Sequence, residues 1–152
     1  MAGELLLDAS GLVALLDRRH PSHTACALSF DQWQGPVVST EAVLADATRL
    51  LGPVTGGMRA CIDFFLGGGA VLVPSSATAL RRTRQLVIDH SALPMGYADA
   101  TLVALAEELG TNVVLTADSR SFGRYRLYGR RSFRILPSPS LRADLRVKSP
   151  RS

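Results

Sequence analysis

Short apolar runs alternate with longer amphipathic stretches along this 152-residue chain. Residues 5–7, for example, are three consecutive leucines with none of the polar alternation of a half-exposed strand. Strands of a parallel sheet are covered on both faces and therefore form continuous apolar segments. We expect a buried sheet built from the apolar segments at residues 5–7, 37–39, 70–73, 112–116 and 132–136.

The stretches between the apolar runs carry apolar residues at a 3.6-residue period, which indicates amphipathic helices. The most regular of them covers residues 98–109 and is closed by Gly110. Ser10 is a suitable N-cap for the first helix, and either Ser39 or Thr40 for the third. This alternation of strands and helices predicts an α/β fold.

The length of the chain suffices for one domain with its own core and is too short for two ordinary domains. Hydrophobic residues make up 47% of the chain, but no apolar run approaches the ~20 residues of a membrane span. We therefore expect a cytoplasmic protein without membrane association. Cys26 and Cys61 lie in apolar helical stretches without Cys or His spacing nearby, and we expect both to be buried free thiols.

Basic residues are concentrated at the C-terminal end. Residues 118–152 contain ten Lys or Arg and two acids, a net charge of +8, whereas residues 1–117 contain seven Lys or Arg and eleven acids, a net charge of −4. Such a distribution suits a phosphate-bearing partner. A solvated, arginine-rich surface explains it equally well, as it does the basic group Arg81, Arg82 and Arg84.

Four aspartates follow the predicted strands or face inward from helices. Asp8 ends the first strand and Asp118 follows the strand at 112–116, so both belong to the carboxyl edge of the sheet, where ligands bind in open α/β folds. Asp46 lies beside an apolar helix stripe and must meet a cation, donors or a metal if buried. Asp99 faces inward from a first turn, whereas Glu107 and Glu108 are predicted to be exposed. Helix capping also explains Asp118, and first-turn preference also explains Asp99.

The surroundings of these aspartates resemble the four motifs of PIN-domain ribonucleases, and more closely those of the VapC toxins of type II toxin–antitoxin pairs. The matching segments are residues 6–10, 43–46, 97–106 and 115–118, of which the third, with its Ala-Asp-Ala, is the most specific. The resemblance covers roughly residues 4–136. It implies a three-layer α/β/α sandwich with a central, mostly parallel sheet of four to five strands in a domain of residues 1–137. We expect residues 138–152 to form a basic, flexible tail.

The resemblance also implies hydrolysis of RNA that depends on one or two Mg²⁺ or Mn²⁺ ions. It assigns the metal-binding and catalytic positions to Asp8, Asp46, Asp99 and Asp118, and it gives the supporting hydroxyls as Ser10 and Thr116. Four converging carboxylates would repel one another without a cation, and oxygen ligands without Cys or His favour Mg²⁺ or Mn²⁺. The implied partners are an RNA substrate, a small cognate antitoxin and a second copy in a homodimer.

The sequence departs from the family pattern at three positions. Asp46 stands where Glu is usual, and Gly96 and Ser121 stand where many relatives have Asp. These departures keep a second hypothesis open, namely a PIN-like module that binds RNA or protein with little or no catalysis. A phosphatase of the haloacid dehalogenase type is less suitable, because Ser10 stands where its second acid is required. A receiver domain is less suitable because the only lysine is Lys148.

Overall fold

The structure is a computed structural model that describes residues 3–148. Its strands are β1 (Leu5–Leu7), β2 (Val37–Ser39), β3 (Val71–Leu72), β4 (Val113–Leu115), β5 (Arg126–Leu127), β6 (Arg131–Ser132) and β7 (Arg134–Leu136). Five of these strands form a central parallel sheet of order β3-β2-β1-β4-β7, and the other two, β5 and β6, form a small antiparallel hairpin.

Helices flank this sheet, which confirms the predicted α/β sandwich. They are α1 (Ala9–Leu16), α2 (His23–Gln32), α3 (Glu41–Leu50), α4 (Gly57–Leu66), α5 (Ala77–Asp89), α6 (Tyr97–Leu109), α7 (Ser119–Phe122) and α8 (Pro139–Lys148). Among residues 3–148, the structure contains no helix with the length and apolarity that a bilayer crossing requires.

The central strand β1 is fully buried, and its register with β4 aligns the carboxyl ends of the two strands, which form the candidate site. Leu7 of β1 lies opposite Leu115 of β4 in the parallel ladder. The residues that follow the two strands, Asp8 and Thr116, are therefore neighbours at the carboxyl edge of the sheet. Helix α1 approaches this edge closely, because a Cβ on Gly11 would lie 2.5 Å from the Leu115 carbonyl oxygen. Only glycine leaves room for that packing.

The N-cap of α1 differs from the prediction. Asp8, not Ser10, caps the helix, since its carboxylate accepts a hydrogen bond of 2.7 Å from the Gly11 amide. Aspartate is as good an N-cap as serine, and Asp8 already has the extended backbone that a cap requires. At α3 the cap is Thr40, one of the two predicted residues. Cys26 and Cys61 are buried and free, as predicted.

The C-terminal segment also differs from the prediction of a flexible tail over residues 138–152. Residues Pro139–Lys148 form α8, which packs against α2. The guanidinium of Arg142 donates to the Pro137 carbonyl at 3.0 Å and to the Thr116 carbonyl at 2.7 Å. Leu141 and Leu145, one turn apart, are both half-buried, so a short apolar stripe and one arginine hold the helix. Residues 149–152 lie outside the described part of the chain.

Candidate active site

Asp8 is a buried carboxylate at the end of the central strand. It is 3% exposed. Besides the hydrogen bond from the Gly11 amide, it accepts hydrogen bonds from the Thr116 hydroxyl at 2.6 Å and from the Ser10 hydroxyl at 2.9 Å. Burial raises the pKa of Asp8 to about 7, and the negative charge of Asp99 adds to the rise, although the hydrogen bonds oppose it. Desolvation therefore outweighs three donors at this carboxylate.

The hydroxyls of Ser10 and Thr116 connect the ends of β1 and β4. Their oxygens lie 3.0 Å apart, and each also accepts a hydrogen bond from the backbone that follows β4. The Ala117 amide donates to Ser10 at 3.0 Å, and the Asp118 amide donates to Thr116 at 2.9 Å. This network fixes both hydroxyls against Asp8 and fixes the start of the loop that carries Asp118.

Asp99 lies in the first turn of α6 and is half-buried, as its inward position predicted. Its Oδ2 accepts a hydrogen bond of 2.8 Å from the Tyr125 hydroxyl. Burial raises the pKa of Asp99, and the charges of Asp118 and Asp46 raise it further. Since Asp99 also raises the pKa of Asp8, it is the carboxylate that interacts with all three of the others.

The remaining two aspartates have protein partners of their own. Asp118 caps α7 by accepting a hydrogen bond of 3.1 Å from the Ser121 amide. Asp46 forms an exposed ion pair of 2.8 Å with Arg49, one helix turn further along α3. Asp46 and Asp99 line one cavity of about 470 Å³ between α3 and the start of α6.

Tyr125 belongs to this site, although no sequence pattern indicates it. Arginines flank Tyr125 in the sequence, but its side chain is only 3% exposed. The ring packs edge-on against Phe122 at 5.0 Å and His90 at 5.9 Å, which directs its hydroxyl to Asp99. Burial raises the pKa of Tyr125, and the negative charge of Asp99 raises it further, so the phenol remains a donor.

The prediction for Glu107 was wrong. Its side chain is buried, and both of its carboxylate oxygens pair with Arg82, at 2.6 and 3.0 Å. Arg82 therefore does not belong to a purely solvated basic face. The reason is the β5–β6 hairpin, which covers this part of α6, where the Tyr128 amide also donates to Glu107. Helical periodicity alone places Glu107 outward, since the hairpin is not encoded in the helix sequence.

The donor set fits a hard divalent cation, although the side chains are not arranged as a closed ligand shell. Within residues 3–148, no group of three or more His, Cys, Asp or Glu side chains is placed to hold a metal ion. In the same part of the chain, the ion pairs include neither Asp8 nor Asp99. Two carboxylates of raised pKa, neither of them in an ion pair among the described residues, match the oxygen preference of Mg²⁺ and Mn²⁺.

Comparison with known proteins supports the resemblance. Ribonuclease VapC26 of Mycobacterium tuberculosis is 27% identical over 135 residues, which cover 88% of this chain and 100% of that protein. The crystal structure of VapC20 of M. tuberculosis, described as a toxin that cleaves the sarcin-ricin loop, matches with a TM-score of 0.68 at 18% identity, over 76% of this chain and 90% of that one. VapBC2 of Rickettsia felis, solved with a DNA fragment from its promoter, matches with a TM-score of 0.63 at 14% identity, over 87% and 98% of the two chains.

The two structural matches confirm the fold. A family model described as the PIN domain matches residues 5–127, which include all four aspartates of the candidate site. This chain belongs to the PIN-domain family.

Proposed function

We propose that this protein is a metal-dependent endoribonuclease and the toxin of a toxin–antitoxin pair. The observation that carries the proposal is the environment of Asp8, a carboxylate buried at the carboxyl edge of the sheet beside Asp99, with no ion pair among residues 3–148. A buried carboxylate of this kind requires either a proton or a cation. The names of the relatives, a ribonuclease and an RNA-cleaving toxin, support RNA as the substrate.

Asp8, Asp99 and Asp118 would hold the metal, with Asp46 as a fourth ligand or as the group that orients the attacking water. Oxygen-only ligands favour one or two Mg²⁺ or Mn²⁺ ions. When bound, such an ion supplies Lewis acidity toward a phosphodiester and lowers the pKa of a coordinated water.

The protein's own groups keep the carboxylates oriented. Thr116 and Ser10 donate to Asp8, and Tyr125 donates to Asp99, so each carboxylate keeps a fixed orientation. Asp46 is only loosely held, because an exposed ion pair such as the one with Arg49 contributes about 0–1 kcal/mol. Asp46 can therefore exchange Arg49 for a cation or a water at small cost.

The proposed partners are a small antitoxin and a second copy of the chain, besides the RNA. The Rickettsia felis match is to a VapBC2 structure, which supports an antitoxin of the VapB type. The excess of basic residues from 118 onward suits both the RNA phosphates and an acidic segment of an antitoxin.

Incubation with total RNA tests the proposal. Wild-type protein and Asp8→Ala are compared in Mg²⁺, in Mn²⁺ and in EDTA, and the ends of the fragments are sequenced. We expect discrete fragments that require both the metal and Asp8. If folded, antitoxin-free wild type gives no metal-dependent fragments, the proposal fails and the second hypothesis, a PIN-like binding module with little catalysis, takes its place.

A further inference from the structure

We propose that the cavity between α3 and the start of α6 binds a nucleotide next to the bond that is cut, with Tyr97 stacking on its base and Arg49 contacting its phosphate. This inference rests on the proposed ribonuclease function and adds to it the residues that select the substrate. The cavity is lined by Ala45, Asp46, Arg49, Gly96, Tyr97, Ala98 and Asp99.

The position of the cavity fixes which part of a substrate it would meet. Asp46 and Asp99, two of the four acids proposed for catalysis, form part of its wall. A group bound there is therefore adjacent to the reacting phosphodiester. Its volume of about 470 Å³ lies within the range of small-ligand pockets, about 300–1,000 Å³.

Tyr97 is a largely exposed aromatic side chain at the start of α6. It is 56% exposed, and within residues 3–148 its ring has no ring partner and its hydroxyl has no hydrogen bond. Tyr125, by contrast, is buried against Phe122 and bonded to Asp99. Stacking of bases on exposed aromatic rings is the usual way in which proteins hold single-stranded nucleic acid.

Arg49 supplies the positive charge that a phosphate at this place would require. Its side chain is 71% exposed, and it contacts Asp46 through Nε at 3.2 Å and one terminal nitrogen at 2.8 Å. The other terminal nitrogen has no hydrogen bond among the described residues. A guanidinium can therefore keep one contact and still bind a phosphate oxygen, or exchange Asp46 for the phosphate.

A nucleotide is favoured over a protein partner because the cavity combines a charged donor, an exposed ring and the acids of the site. A protein interface would instead be centred on the apolar side chains of the neighbouring face of α5, such as Leu80 and Val87, which are also exposed. Tyr97 borders that face as well, so the experiment includes a measurement of oligomeric state.

The test uses an RNA oligonucleotide that contains the cleavage sequence mapped with wild type. Each nucleotide beside the scissile bond is replaced in turn by an abasic nucleotide, and kcat/KM is measured for wild type, Tyr97→Phe and Tyr97→Leu. We expect one abasic position to lower kcat/KM of wild type and Tyr97→Phe by about ten-fold. Tyr97→Leu should show a similar loss with intact RNA and no further loss at that abasic position, since the two changes remove the same contact.

Arg49 is tested by the salt dependence of KM. Arg49→Gln should lower the slope of log KM against log salt by about 0.7, the value of one phosphate contact on a single strand. Arg59→Gln is the matched control, because Arg59 is also exposed and also pairs with an acid on its own helix, Asp63. Its slope should equal that of wild type.

Three results overturn the inference. Equal kcat/KM and equal abasic losses in wild type and Tyr97→Leu would show that the ring holds no base. Equal slopes for Arg49→Gln and Arg59→Gln would show that Arg49 meets no phosphate. If Tyr97→Leu loses activity and its sedimentation coefficient also differs from that of wild type, Tyr97 belongs to an interface between protein chains. In each case wild type still cleaves RNA, so the proposed function stands; absence of wild-type cleavage removes both.

Discussion

The hydroxyl of Tyr125 donates a hydrogen bond of 2.8 Å to Oδ2 of Asp99, across 26 residues of sequence. Tyr125 precedes the β5–β6 hairpin, and Asp99 lies in the first turn of α6, so this bond attaches the hairpin segment to the acidic site. The ring of Tyr125 is fixed by Phe122 and His90, so the phenol position does not depend on the carboxylate. Asp99 is thus oriented by a rigid partner.

Tyr125→Phe should therefore lower kcat by about ten-fold and raise the metal concentration needed for half-maximal activity, because partners of metal-binding carboxylates typically contribute 10–100-fold. The fold should persist, since the ring contacts are kept. Cleavage rates at several Mn²⁺ concentrations measure both effects. Tyr128→Phe is the control, as it removes a hydroxyl that donates to the Glu107 carbonyl, away from the acids. Equal kcat and equal metal requirement in Tyr125→Phe and wild type would contradict a positioning role.

Asp99→Asn should abolish cleavage without destabilising the metal-free protein. The substitution removes one negative charge from a group of carboxylates that raise one another's pKa, while the amide oxygen can still accept from Tyr125. The melting temperature in EDTA should be equal to or above that of wild type. An unfolded variant, or one that retains cleavage, would show that Asp99 acts chiefly as a structural residue.

The stability of the metal-free protein should depend on the protonation of Asp8. Its pKa is raised from 3.8 to about 7 in the folded chain, so between these values the native state binds more protons than the unfolded state. The stabilising contribution is complete below pH 3.8 and is lost as the pH rises through about 7. Its size is a few kcal/mol at most, since one pKa unit corresponds to about 1.4 kcal/mol.

Urea unfolding in EDTA between pH 4 and 8 measures this contribution. The free energy of unfolding of wild type should fall with rising pH relative to that of Asp8→Asn, which keeps an N-cap oxygen but does not titrate. Parallel curves for the two proteins would mean that folding does not raise the pKa of Asp8.

Glu107→Gln should destabilise the protein by about 2 kcal/mol, because it leaves the partly exposed Arg82 guanidinium without its charged partner. Glu108→Gln, the adjacent and exposed position, should change the free energy of unfolding by less than about 0.5 kcal/mol. Urea unfolding of both variants at one pH makes the comparison. If the two variants are equally stable, the Arg82–Glu107 pair does not stabilise the packing of α5 on α6.

The sequence predicts those parts of the site that depend on local geometry. A fully apolar strand followed by Asp8 is enough to place this acid at the carboxyl edge of a parallel sheet, and the parallel register then brings Thr116 beside it. The inward direction of Asp99 follows from helical periodicity.

The remaining parts depend on contacts that no local pattern encodes. Tyr125 and Glu107 acquire their partners because the hairpin segment crosses α6, and these two segments are distant in the sequence. The position of α8 depends on its packing against α2 and on the Arg142 guanidinium, which reaches two backbone carbonyls. Asp46 was expected to meet a cation, donors or a metal if buried. Its partner is Arg49, one helix turn further along α3, and only the structure shows that these two side chains pair with each other.

Mn²⁺ binding to the folded protein tests the central claim, that these aspartates form one metal site, most directly. Free Mn²⁺ is followed by electron paramagnetic resonance during titration of wild type, Asp8→Asn, Asp99→Asn and, as control, Asp63→Asn, whose acid pairs with Arg59 on α4. The account predicts one or two bound ions in wild type and Asp63→Asn, and a loss of binding of at least about ten-fold in Asp8→Asn and Asp99→Asn. Folded wild type that binds no Mn²⁺, or four proteins that bind it equally, would contradict the account.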